Sequence, residues 1–137
     1  MADAKPPVVA ELIWADALRF GATSGTNAIV VDGDSAAGPS PVQLLAFALA
    51  GCMAIDVVDI LRKGRQPLTA FRVSLHGERA PEAPRRLTRV ELRFHVHGAV
   101  SETAVERAVS LSREKYCSVW HSLRQDIELT TALDILP

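Results

Sequence analysis

Between Val42 and Leu61 the chain reads VQLLAFALAGCMAIDVVDIL, without proline and with polarity confined to Gln43, Asp56 and Asp59. A segment apolar almost all round reads as a helix that must be covered on every side. Its uninterrupted apolar part, Leu44 to Ile55, is shorter than the roughly 20 residues a bilayer core demands, and two aspartates follow it. The expectation is the buried axis of a small domain, not a membrane span. Ser40 with Pro41 supplies a cap and a first-turn proline, and Arg62-Lys63-Gly64-Arg65 offers positive charge and a glycine terminator at the other end.

The flanking sequence limits what can cover this helix. Upstream, Val8 to Trp14 and Ala28 to Val31 are short β-prone runs with Gly21 and Gly25 between them, predicting an antiparallel ribbon. Downstream, Phe71, Val73 and Leu75 alternate with polar residues, as do Val90, Leu92, Phe94 and Val96, around the turn-rich loop Gly77–Arg86. Thr103 with Glu106 suggests a capping box for a second helix with the stripe Val105, Ala108, Val109 and Tyr116. Ile127, Leu129 and Ala132 suggest a last strand. The order predicts an α+β fold, a mainly antiparallel sheet with a long buried central helix and a second helix, as one domain over residues 1–137. So few strands barely sheathe such a helix, which predicts a second subunit, a homodimer.

Charge excludes some functions. Fifteen basic residues against sixteen acidic ones form no basic stripe, so no nucleic-acid partner is expected. The start Met1-Ala-Asp-Ala-Lys-Pro-Pro lacks a basic n-region and apolar run, predicting a cytoplasmic protein without a membrane partner. Gly21-Ala-Thr-Ser-Gly25 matches no dinucleotide or phosphate-binding loop, and no cofactor is implied. His76, His95 and His97 share a strand face, but His76 lies beside the loop and His95 some six residues from it, about 20 Å at the strand rise, so a solvated face and no metal are expected. His121 is near Cys117 in sequence but reads as a surface or packing residue. Arg79, Arg85, Arg86 and Arg89 make the hairpin loop basic, by default a solvated loop. Asp56 and Asp59 are expected to partner Arg62, Lys63 or Arg65.

The remaining chemistry is sulfur. Cys52 sits mid-helix, where a small core hydrophobe and a reactive thiol are equally readable. Cys117 follows in Glu114-Lys115-Tyr116-Cys117-Ser118-Val119, a spacing that fits neither a CxxC nor a local metal motif. Two cysteines in a reducing compartment point to free or redox-cycling thiols.

The string Gly38-Pro-Ser-Pro-Val-Gln-Leu-Leu-Ala-Phe-Ala-Leu-Ala-Gly-Cys52-Met-Ala-Ile-Asp-Val-Val resembles the central helix of the OsmC/Ohr family, in which Pro-x-[Glu/Gln]-Leu precedes the first cysteine. Leu111-Ser-Arg-Glu-Lys-Tyr-Cys117-Ser-Val is similar to that family's second cysteine motif. The resemblance implies an OsmC-like fold, an intertwined homodimer and cysteine-based reduction of a small-molecule hydroperoxide, organic before hydrogen peroxide. It implies that Cys52 is the peroxidatic thiol, that Cys117 resolves it, and that a dithiol or lipoyl-type reductant resets the pair. It also implies an activating arginine, for which Arg19 is the candidate, the only arginine before Arg62. The family's glutamate is replaced by Val42, with neutral Gln43 next, so Arg19 is expected to lack its clamp. That departure leaves a rival reading, a non-catalytic dimeric ligand-binding or redox-sensing protein.

Overall fold

The computed structural model describes residues 4–137 as two compact units, divided after Leu45. The first holds β1 (Glu11–Asp16), β2 (Arg19–Ser24) and β3 (Asn27–Asp32), an antiparallel sheet in that order. The sequence signalled only its outer strands. β2 reads RFGATS, with glycine and small residues where a half-buried strand would show branched ones, and pairing with its neighbours makes it a strand. Gly25, at φ 59°, makes the tight turn between β2 and β3.

α1 (Pro41–Lys63) begins as expected. Ser40 Oγ accepts the Gln43 N–H at 3.3 Å, and Gln43 Oε1 accepts the Ser40 N–H at 2.9 Å, a reciprocal capping box. Its end differs from expectation. The Arg65 N–H donates to the Arg62 carbonyl and the Gln66 N–H to the Leu61 carbonyl, a Schellman closure in which the left-handed position, φ 58°, falls on Arg65 and not on Gly64.

In the second unit β4 (Leu68–Arg79), β5 (Leu87–Gly98) and β6 (Glu128–Leu136) form a sheet with β5 central. The β4–β5 hairpin is antiparallel, with Phe71 opposite Val96 and Val73 opposite Phe94, whereas β6 runs parallel to β5. A parallel neighbour requires a crossover. Residues 99–127 supply it as α2 (Glu102–Leu111), a single π turn (Ser112–Tyr116) and α3 (Ser118–His121). α2 is capped by Ser101, whose Oγ accepts the Ala104 N–H at 3.2 Å, not by the expected Thr103; Ser101 is itself fixed by the Gln66 side chain. The π turn inserts an extra residue into the helical phase. Ser112 continues the buried stripe of α2, whereas Tyr116, at the end of the π turn and expected on that stripe, is half exposed.

The core unites Val90, Leu92, Phe94 and Val96 of β5 with Leu49, Met53, Val57 and Leu61 of α1 and Val105, Ala108 and Val109 of α2. The α1 residues recur every four positions, one stripe of the helix. Length and composition would suit α1 to a bilayer, but this stripe is packed into protein. Phe47 and Ile55, off the stripe, stay exposed within the chain.

Candidate functional site

The helix phase that buries Met53 leaves Cys52 at the edge of the core, partly exposed. Cys117 follows the π turn and caps α3, fully buried, its Sγ accepting the Trp120 N–H at 3.3 Å. Its own N–H donates to the Ser112 carbonyl at 2.7 Å. The fold brings the two thiols together, unbridged, although 65 positions separate them in sequence. Ser118 Oγ lies 3.9 Å from Cys52 Sγ.

Burial pushes the Cys117 thiol up to about 11, partly countered by the Trp120 N–H; the Cys52 side chain and the charges of Cys52 and Asp56 push the same way as burial. Cys117 is therefore a protonated, shielded sulfur at neutral pH, beside a sulfur that solvent can reach.

Two carboxylates stand out, one in each unit. Asp56, one helical turn beyond Cys52, accepts the Ser112 hydroxyl at 2.7 Å and pairs with none of the expected cations, whereas Asp59 does bind Lys63 at 2.8 Å. The available signal was its i+4 spacing from Cys52. In the first unit, Asp32 is buried and accepts backbone N–H groups from Ala37, Asp34 and Ala36. The Ala37 and Asp34 bonds hold its carboxyl below the usual range against the opposing effect of burial, with further help from Ala36 and Arg19. Arg19 Nε lies 3.5 Å from Asp32, and its Nη1 lies 3.3 Å from Asp16. Arg19 is thus paired with acids on β1 and at the end of β3, while the family's carboxylate position on α1 holds neutral Val42 and Gln43.

The other candidates are structural. His121 Nε2 bonds the Arg113 carbonyl at 2.9 Å, His76 pairs with Glu78 at 2.8 Å, and His95 with Asp134 at 3.2 Å. Among the described residues no three His, Cys, Asp or Glu side chains are grouped to hold a metal. In the basic loop, Arg79 donates to the Arg85 carbonyl, and Arg89 faces Glu128 at 3.6 Å.

A family model described as OsmC-like protein matches residues 32–132. Protein YhfA of Escherichia coli strain K12 is 42% identical over 130 residues, spanning 93% of this chain and 97% of that protein. Among solved structures, a hypothetical protein from Aquifex aeolicus superposes with a TM-score of 0.90 at 28% identity, covering 97% of this chain and 99% of its own. An organic hydroperoxide resistance protein from Legionella pneumophila shares the fold with a TM-score of 0.71 at 14% identity, covering 96% of this chain and 99% of its own.

Proposed function

This chain belongs to the OsmC-like protein family, and from that premise we propose that it is a cysteine-based reductase of organic hydroperoxides, with hydrogen peroxide a poorer substrate. The observation that carries this reading is the pair of free, adjacent thiols, one reachable and one buried in its protonated form. The Cys52 thiolate attacks the terminal peroxide oxygen; an S–O bond forms, the O–O bond breaks, and the alkoxide leaves and takes a proton from water. Cys117, giving up its proton, then attacks the sulfenic sulfur. The S–S bond forms and hydroxide departs with that proton as water. An external dithiol, of lipoyl or small-thiol type, returns two electrons by exchange and becomes the disulfide.

Arg19 is the cation that the family resemblance offers for the Cys52 thiolate, and within its own unit it pairs with Asp32. The apolar run of the helix around Cys52, Leu44 to Ile55, supports a preference for an alkyl tail over a small polar peroxide. The protein acts in the cytoplasm as a homodimer. The exposure of Phe47 and Ile55 in one unit, and of Leu12, Ile13 and Trp14 in the other, supports the second subunit. A Legionella protein of the same fold is named for organic hydroperoxide resistance, which agrees with this chemistry.

Cumene hydroperoxide consumption with a dithiol tests the reading. Cys52→Ser abolishes it, and Cys117→Ser leaves a Cys52 sulfenic acid that dimedone traps. Equal rates in all three proteins would overturn the assignment. The rival, a redox sensor with slow turnover, draws support from the high proton affinity of Cys117. It requires the sulfenic acid or disulfide to form without sustained consumption.

A further inference from the structure

Disulfide closure needs Cys117 to become a thiolate, so whatever governs its charge governs the second chemical step. α1 presents two such groups to it, Cys52 and Asp56. Its own segment carries Arg113, Glu114 and Lys115 on the π turn and His121 on α3, whose ring is engaged by the Arg113 carbonyl. Asp56 stands apart from these because it is wired to Cys117 through one residue. Ser112, with no exposed surface, donates its hydroxyl to Asp56 at 2.7 Å and accepts the Cys117 N–H on its carbonyl at 2.7 Å.

We propose that Asp56 and Ser112 are positioning residues that set the pace of the resolving sulfur: Asp56 keeps negative charge beside Cys117 as a brake, and the Ser112 hydroxyl draws part of that charge away. The inference rests on the peroxidase reading above and deepens it. A restrained Cys117 lengthens the life of the Cys52 sulfenic acid, which gives a small thiol or partner time to reach it before the intramolecular bond closes.

The two halves of this hydrogen bond have opposite electrostatic effects, and a merely structural link would not. Asp56→Asn removes the charge while its amide oxygen still accepts from Ser112, so the fold is kept. Ser112→Ala removes the donor while the charge stays, and the π-turn bond to Cys117 survives because it is made by backbone. The measurement is the site-resolved alkylation rate of Cys117 against pH in the full-length protein, paired with stopped-flow closure of the disulfide after one equivalent of cumene hydroperoxide. In Asp56→Asn the alkylation midpoint falls and closure is faster, the gain in thiolate being partly offset by its lower nucleophilicity. In Ser112→Ala the midpoint rises, closure slows, and dimedone captures more sulfenic acid. Midpoints that stay put, or that move the same way in both variants, overturn the proposal. If the wild type forms no sulfenic acid, the peroxidase reading falls instead, and the midpoints still judge the pair.

Discussion

Because the folded protein holds the Cys117 thiol at about 11, above its ordinary value of 9.0, folding and ionisation are linked. A folded-state value raised above the unfolded one contributes stability that is complete below the unfolded value and lost as pH climbs through the folded one. The reduced protein is therefore expected to keep its urea midpoint up to about pH 9 and to lose stability between there and about pH 11, and Cys117→Ala flattens that decline. Both thiols could be picked out of the sequence, and recognition of the helix motif gave them roles. The partner of Arg19 could not, because Asp32 faces it only through the register that sets Arg19 opposite Asp32 across β2 and β3, and β2 carries too weak a pattern to be read. Asp56 was assigned to nearby cations, since its partner Ser112 lies 56 positions along the chain and no local pattern pairs the two.

Among the elements, the end of α1 holds removable strain. Arg65 adopts φ 58°, where its Cβ crowds the backbone, while the adjacent Gly64 does not need its freedom. Arg65→Gly is expected to stabilise the protein by about 0.5–1 kcal/mol, read by thermal or chemical denaturation. The misplaced terminator shows why element ends were less legible than their existence. The alternation in β4 and β5 and the cap at Ser40 are local signals, and the fold follows them. Where the last helical hydrogen bond falls depends instead on how Gln66 is received, by the Leu61 carbonyl and by Ser101, a residue far along the chain. The π turn likewise defeated the stripe that included Tyr116, since a constant period cannot anticipate one inserted residue.

For the molecule as a whole, the α+β order was readable because each strand pair and helix declared its own periodicity, but the direction of β6 was not, as alternation is blind to it. The homodimer proposed above makes a further prediction: Ile55→Lys, on an exposed position of α1, is expected to lower the sedimentation coefficient to that of a monomer while far-ultraviolet circular dichroism stays unchanged. A wild-type protein that already sediments as a monomer would remove the second subunit. The parallel placement of β6 bears on biosynthesis. Hairpin β4–β5 closes a short loop, whereas β6 can dock only after residues 99–127 have been translated and folded back along the sheet. On the ribosome, Cys52 therefore emerges well before Cys117 exists, and a nascent chain meets oxidants with one thiol and no second sulfur to receive it.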